Sequence, residues 1–449
     1  MGKLFGTDGI RGVAGKSLTA ELAYQVGQAV CTVLQEQLGH KALIAIGKDT
    51  RISSDMLESA LCAGICSVGG DAQLLGTIPT PAVAYLTVQQ GCDAGIVISA
   101  SHNSYEHNGI KVFNGQGYKL SDEMEAEVER RILGCDPMPV KVLGEIGRCV
   151  HRERDAHSDY VEHLLSTLDC NLTSLRVLVD CANGAAAATA PQLFRRLPIM
   201  ADLINIAPDG VNINAECGST HMDILSNMTA AGKYDLGIAF DGDADRCLLV
   251  DERGNIIDGD KVLAVCSAQL QEEGKLVNNT IVGTVMSNLG LHEFCHNANI
   301  TLFCTAVGDR HVLEKMLEGD YALGGEQSGH TIFREYATTG DGQLTALQFL
   351  RALSLSGKPA SELVSCCPQY PQELINVTIS DAPGEKDRIL NNKKLRAAVE
   401  SKESELTGEG RILLRASGTE PLIRVMVEAK TDEIAHNTAA DLAELVKTL

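Results

Sequence analysis

Residues 235–251 read DLGIAFDGDADRCLLVD, and this stretch decides the fold class. DLGIAF is a short, continuous apolar run, the mark of a strand covered on both faces rather than of a surface helix. CLLVD, on the far side, reads as a second strand. Between them Asp241, Asp243 and Asp245 alternate along a tight loop. Alternate residues of an extended segment point the same way, so three carboxylates can converge on one cation, and hard oxygen donors select Mg²⁺ or Ca²⁺. An EF-hand is the obvious rival, since Glu252 falls at its twelfth position. Its sixth position must be Gly, however, and here it is Arg246, and the flanks are strands rather than helices. Three like charges crowded together without a partner are unfavourable, which argues against a plain solvated turn.

The same apolar strand signature recurs on both sides of that loop. ALIAIG (42–47), residues 72–75 and AGIVISA (94–100) precede it with RVLVD (176–180) and LINI (203–206), while TIVGTVM (280–286) and TLFCTAV (301–307) follow it. Helices are expected between them, over 19–38 with Thr19 as N-cap and over 54–68. Strands alternating with helices predict α/β units whose sheets are covered on both sides. Passages rich in Pro, Gly and charge at 134–155 and CCPQYP at 366–371 punctuate the pattern. After the second, the order becomes strand (373–379), helix (391–405), strand (411–416), strand (422–429), helix (432–449). The expected architecture is three similar mixed α/β domains, 1–153, 154–255 and 256–368, plus a C-terminal α+β domain, 369–449, around a central cleft.

Composition removes several function classes. The 449 residues carry 38 Lys+Arg against 59 Asp+Glu, a net charge of −21, which argues against a nucleic-acid or anionic-membrane binder. Any phosphate must meet a local basic pocket. Aromatics are 4% and Trp is absent, which disfavours a stacking platform for bases. The 15 cysteines are odd in number and form no C-x-x-C, so reduced, mostly buried thiols are expected. MGKLFGTDGIRG lacks the apolar core of a signal peptide, and no stretch reaches the ~18 apolar residues of a membrane span. A cytoplasmic location is the expectation. Two motif matches fail. GVAGKS (12–17) has Ile10 where a P-loop needs Gly, and HEFCH (292–296) matches a zinc-binding pattern without an evident third ligand.

Three further loops carry candidate chemistry. In GIVISASHNSYEHNGIKVF (95–113) a buried strand ends in Ser-Ala-Ser-His-Asn, presenting Ser101 at the mouth of a sheet with His102 beside it and Lys111 ten residues on. The G-x-S-x-G elbow of an esterase is missing. With three aspartates elsewhere, Ser101 reads as a serine presented to a metal. LGGEQSGH (323–330) places Glu326, Ser328 and His330 among glycines, a set that suits sugar hydroxyls. In RILLRASGTEPLIRVMVE (411–428) two strands flank Ser417, Gly418 and Thr419. Amides and hydroxyls there can form an anion nest, charged by Arg415 and Arg424.

FGTDGIRG, ISASHN, DGDADR, VMSNLGL, VGDR, GGEQSGH, GDGQLTALQ and RASGTEPLIRVMVE occur in order along the whole chain. Together they resemble the α-D-phosphohexomutases, and most nearly the bacterial branch acting on glucosamine phosphates, with mannose and glucose phosphates as the alternative. The resemblance implies a four-domain isomerase that moves phosphate between O6 and O1 of a hexosamine phosphate and so supplies amino-sugar nucleotide and cell-wall precursor synthesis. Ser101 would carry the phosphoryl group. Asp241, Asp243 and Asp245, together with Ser101, would hold one Mg²⁺. His102 and Lys111 would serve proton transfer or phosphate contact, and Arg11 and Arg246 the phosphoryl group. Glu326 and Ser328, with His330 beside them, would grip the sugar. Arg415, Ser417, Gly418 and Thr419, with Arg424, would grip the other phosphate. A glucose or glucosamine 1,6-bisphosphate is implied as intermediate and activator. The partner is a small molecule, not a nucleic acid or membrane, and a homodimer is a candidate assembly. Two positions depart from the usual pattern, Ser104 for a Pro and His107 for an Asp. Both lie in the Ser101 loop and leave its rigidity open.

Overall fold

The apolar runs become four sheets in the computed structural model, which describes residues 4–6, 8–172, 175–380, 382, 384–406, 409–417 and 421–449. The first sheet contains β1 (Ile10–Val13), β2 (Leu43–Lys48), β3 (Asp71–Thr77), β4 (Ala94–Ile98), β5 (His107–Asn114) and β6 (Cys149–His151), in the order β1-β5-β4-β2-β3-β6. All five residues of β4 are buried, as a strand covered on both faces requires. β2, β3, β4 and β6 run parallel, while β5 turns back antiparallel to β4 and β1 pairs antiparallel with β5. That reversal brings the chain round at the C-terminal end of β4, where residues 99–106 form the connection.

The expected helices cover this sheet at Ala20–Leu38 and Ser54–Ser67. The Thr19 hydroxyl accepts the Leu22 N–H at 3.2 Å, and Gly39 ends the helix at φ 72°. The two helices meet backbone to backbone. A Cβ on Gly64 would fall 2.1 Å from the Tyr24 carbonyl oxygen, so only glycine permits this crossing.

The second sheet contains β7 (Arg176–Asp180), β8 (Met200–Ile204), β9 (Leu236–Phe240), β10 (Cys247–Asp251) and β11 (Ile256–Ile257), in the order β11-β10-β9-β7-β8. β9 is wholly buried and pairs antiparallel with β10, closing residues 241–246 into a hairpin loop. β8 begins three residues before the apolar run LINI and is half-exposed, because it is an edge strand. The third sheet contains β12 (Thr280–Thr284), β13 (Thr301–Thr305), β14 (Leu323–Gly325) and β15 (Thr331–Phe333), in the order β13-β12-β14-β15. β13 is also an edge, with Thr301, Phe303 and Cys304 exposed and no residue buried despite its apolar sequence.

These three sheets lie in one compact unit, residues 1–286 and 300–366. A second unit, 287–299 and 367–449, contains the fourth sheet, β16 (Gln372–Thr378), β17 (Gly410–Ala416) and β18 (Leu422–Ala429). Its order is β16-β18-β17, all antiparallel. The helix Asp432–Lys447 packs its apolar stripe, Ala435, Ala439, Leu442 and Val446, onto Val425 and Val427 of β18. Within this unit the fully buried Glu428 takes Arg411 and the Leu289 N–H, tying in the helix Leu289–Asn297. Among the described residues no helix is long and apolar enough to cross a membrane.

Candidate active site

The hairpin between β9 and β10 buries what a turn would ordinarily expose. Asp241, Asp243 and Asp245 are 0%, 1% and 7% exposed, and one ligand oxygen from each lies within 4.8 Å of the others. Ala244 at φ 56° folds the loop back on itself. Thr80 donates to Asp243 Oδ2 at 2.7 Å, and its N–H donates to the Asp243 carbonyl. Asp243 Oδ1 and Asp245 Oδ1 are buried without a hydrogen-bond partner. Burial, then the neighbouring Asp245 and Asp243, hold the Asp241 carboxyl well above the usual range. Two orphaned carboxylate oxygens within a converging set of three fit a hard divalent cation such as Mg²⁺. Among the described residues this is the group of three so arranged.

Ser101 meets this loop. Its hydroxyl donates to Asp241 Oδ2 at 2.6 Å and lies 3.3 Å from His102 Nδ1. The residue is buried and sits at φ 52°, a left-handed conformation that a non-glycine residue adopts only under constraint. Gly242 makes the meeting possible, because a Cβ there would lie 2.5 Å from the Ser101 carbonyl oxygen. Ser99, the neighbouring hydroxyl, is fully buried and donates to Asp49 Oδ2 at 2.7 Å.

Lys111, on β5, is buried against the same loop, with Nζ 3.0 Å from Asp243 Oδ2, 3.2 Å from Asp8 Oδ2 and 3.6 Å from Asp245 Oδ2. Burial works against its charge, but Asp243, Asp8 and Asp245 outweigh it and raise its pKa well above the ordinary value. Lys119 bridges Asp8 and Asp309 at 2.6 Å each. The His330 ring is buried, with Nδ1 3.8 Å from Asp245 and Nε2 3.8 Å from Asp309. Nε2 also accepts the Gly340 N–H at 3.1 Å, so this ring faces the carboxylates rather than solvent. Arg246 donates its N–H to Asp241 Oδ1 at 3.2 Å, and its Nε, 4.0 Å from Asp245 Oδ1, makes no hydrogen bond. Arg11, exposed on β1, pairs with Asp8. His102 is held below the ordinary imidazole value, first by burial and then by Arg246 and Arg11.

The Glu326 loop joins this group in part. Glu326 Oε1 accepts the Gly308 N–H at 3.1 Å, and the Glu326 charge acts on Arg246. Ser328 is exposed. In the second unit, Arg415 on β17 stands directly opposite Arg424 on β18. Arg415 Nε is buried without a hydrogen-bond partner, and burial followed by Arg424 lowers its pKa. The buried Ser417 donates its N–H to the Leu422 carbonyl, and Lys386 donates to the Ser417 carbonyl at 2.6 Å. Gly418 and Thr419 lie outside the described residues.

Several partners have no counterpart in the expected set: Asp8, Thr80, Lys119, Asp309, Lys386 and the Asp49–Arg51 pair. Asp49 and Arg51 follow a buried strand as abruptly as Ser101 does, and that was the available signal. Asp8 and Asp309 lie within the motifs FGTDGIRG and VGDR.

The chain matches phosphoglucomutase/phosphomannomutase alpha/beta/alpha domain I over residues 2–136, domain II over 158–254, domain III over 258–370 and the C-terminal domain over 374–445. It is 51% identical to a phosphoglucosamine mutase of Caldicellulosiruptor bescii over 451 aligned residues, covering 100% of this chain and 99% of that protein. A phosphoglucomutase/phosphomannomutase family protein from Burkholderia thailandensis shares the fold at TM-score 0.82 and 24% identity, over 99% of this chain and 97% of that one. An N-acetylphosphoglucosamine mutase from Aspergillus fumigatus, in complex with GlcNAc-6P and magnesium, does so at TM-score 0.69 and 18% identity, over 100% and 96%.

Proposed function

The chain belongs to the phosphoglucomutase/phosphomannomutase family, the α-D-phosphohexomutases, and from that premise we propose that it interconverts glucosamine 6-phosphate and glucosamine 1-phosphate. It is an isomerase acting as an intramolecular phosphotransferase. The full-length similarity to curated phosphoglucosamine mutases supports the amino sugar over glucose or mannose as substrate. The observation that carries the chemistry is the Ser101 hydroxyl 2.6 Å from Asp241, over three buried carboxylates.

In this reading Ser101 carries the phosphoryl group. The sugar O1 attacks it, the bond to Ser101 Oγ breaks, and glucosamine 1,6-bisphosphate forms. After the intermediate turns around, Ser101 Oγ takes the phosphoryl group from O6, and glucosamine 1-phosphate leaves. Glucose 1,6-bisphosphate can prime the serine in the same way. Asp241, Asp243 and Asp245 would hold one Mg²⁺ beside the phosphoserine, and a bound Mg²⁺ supplies charge stabilisation to the transferring group. Lys111, Arg246 and Arg11 supply further positive charge where the phosphoryl oxygens lie. His102, kept neutral and 3.3 Å from the serine oxygen, is suited to take and return the hydroxyl proton. Glu326 and Ser328 are assigned to the sugar together with His330, whose carbonyl accepts the Glu326 N–H at 2.9 Å, and Glu326 is the candidate partner for the 2-ammonium group. Arg415, Arg424 and the loop from Ser417 to Thr419 are assigned to the phosphate that is not being transferred.

We take the domains as 1–153, 154–255, 256–368 and 369–449. We place the reaction in the cytoplasm, which fifteen free cysteines support. A coupled assay across glucosamine, N-acetylglucosamine, glucose and mannose 6-phosphates tests the substrate. Glucosamine 6-phosphate is expected to show the highest kcat/KM and the N-acetyl sugar to be poor, since acetylation removes the charge and adds bulk. Equal or better turnover of mannose or glucose phosphate would reassign the substrate and leave the site residues in place.

A further inference from the structure

Among the described residues Arg51 is the largest fully buried side chain, and the chemistry above makes no use of it. Its Nε donates to Asp49 Oδ2 at 2.8 Å, and both side chains are 0% exposed. Its four remaining hydrogens go to main-chain carbonyls of a single loop. Nη2 reaches Ser101 at 2.9 Å and Asn103 at 2.8 Å, and Nη1 reaches His107 at 3.0 Å and Ser104. A guanidinium has five donors, and here all five are engaged.

The other side of Ser101 leads back to the same carboxylate. The Ser101 N–H donates to Ser99 Oγ at 2.9 Å, and Ser99 Oγ donates to Asp49 Oδ2 at 2.7 Å. The peptide groups before and after Ser101 are therefore closed into one ring through Ser99, Asp49 and Arg51. Asn214, on the loop after β8, adds a second donor to the Ser101 and Asn103 carbonyls at 3.0 and 3.1 Å. Two peptide planes fixed in this way set φ and ψ at Ser101, and hence the direction of its Cα–Cβ bond. That is how a serine is kept at φ 52° with its hydroxyl on Asp241. Because Arg51 binds the carbonyls of Ser104 and His107, the clamp depends on their main chain. The unusual side chains at those two positions do not remove it.

We propose that Arg51, through the ring it forms with Asp49 and Ser99, is the positioning residue that aims Ser101 for phosphoryl transfer. The proposal rests on the reading of Ser101 as phosphoryl carrier. Arg51 does not approach the serine oxygen and is not itself a catalytic residue. Its planar five-donor head is what the ring needs, and lysine, with three donors from one point, cannot replace it.

The test compares Arg51→Lys, Ser99→Ala, Ser99→Thr and Ser101→Ala by steady-state kinetics, thermal melting and the rate at which glucose 1,6-bisphosphate phosphorylates the protein, read by mass. Arg51→Lys and Ser99→Ala are expected to lower kcat and the phosphorylation rate by about 100-fold, as losses of supporting hydrogen bonds do, while KM stays within about threefold. Ser99→Thr, which keeps the hydroxyl, is expected to restore most of the rate. Should Arg51→Lys fail to fold, Ser99→Ala decides alone, since it removes a single buried oxygen. A Ser99→Ala enzyme that melts lower but keeps wild-type kcat and phosphorylation rate would show the ring to be structural only and overturn the proposal. An active Ser101→Ala enzyme would instead overturn the phosphoserine reading on which it rests.

Discussion

Around Ser101, Lys111 lies among Asp8, Asp243 and Asp245, whereas on the fourth sheet Arg415 faces Arg424 directly across an antiparallel pair. The first region interleaves its charges and buries them, at the cost of desolvation, so that on the proposed function little would have to move when a phosphoryl group arrives. The second region sets two like charges opposite one another on neighbouring strands, an arrangement that an anion lying between them would stabilise. On the proposed function, the difference predicts a division of labour. Changes in the first region should fall on kcat, and changes in the second on KM.

The sharpest way to break that division is Ser101→Ala. Loss of a covalent nucleophile should lower kcat by about 10⁴-fold or more, and mass analysis should find no phosphate on the protein. Next in size, Asp243→Asn keeps the shape of the loop but removes one negative ligand. Mg²⁺ affinity should fall and kcat should drop by about 10³-fold, and EDTA should silence the wild type. Activity that survives both would make the aspartate loop a structural feature.

A third prediction probes the burial behind the first region. Asp341 caps the helix Gly342–Ser356, whose first N–H donates to the Ala244 carbonyl of the aspartate loop. Burial pushes the Asp341 carboxyl up to about 6 from 3.8, even though Leu344 N–H and Tyr160 Oη donate to it. Between these values the native carboxyl holds a proton that the unfolded chain has lost. Stability contributed by this group is therefore present at low pH, falls as pH rises through the window, and levels off above about 6. Relative to Asp341→Asn, the wild type should lose up to about 3 kcal/mol between pH 4 and 7 by chemical denaturation. A difference that grows with pH would contradict the assignment. The smallest effect belongs to the second region. Arg415→Ala should raise KM by about 10- to 30-fold for every hexose phosphate, with kcat nearly unchanged. A fall in kcat alone would erase the contrast between the regions.

The parts of the fold readable from sequence were those with local causes. β4 and β9 are continuous apolar runs because both faces are covered, and Thr19 announces the helix it caps. β1 and β6 went unread because they are short and largely exposed, and β5 because Asn108, Gly109 and Lys111 interrupt the apolar run of a strand that is nonetheless buried from Asn108 to Phe113. LINI and TLFCTAV marked edge strands that the apolar signal alone made look central. In the site, Ser101 and the three aspartates stand out because polar groups interrupt buried strands. Arg51 and Asn214 do not, because their roles arise only when the chain brings them to Ser101 from 50 and 113 positions away. Composition, moreover, places an arginine on the surface unless its partners are known.

The central claim is that Ser101 passes a phosphoryl group to an amino sugar, and a single-turnover chase tests it most directly. Enzyme labelled with radioactive phosphate on Ser101 is mixed with glucosamine 6-phosphate and Mg²⁺ and quenched over the first turnover. The account predicts that label leaves Ser101 and appears in glucosamine 1,6-bisphosphate and then glucosamine 1-phosphate, with almost none as inorganic phosphate. Label that stays on Ser101, or that leaves it as inorganic phosphate, would contradict the account.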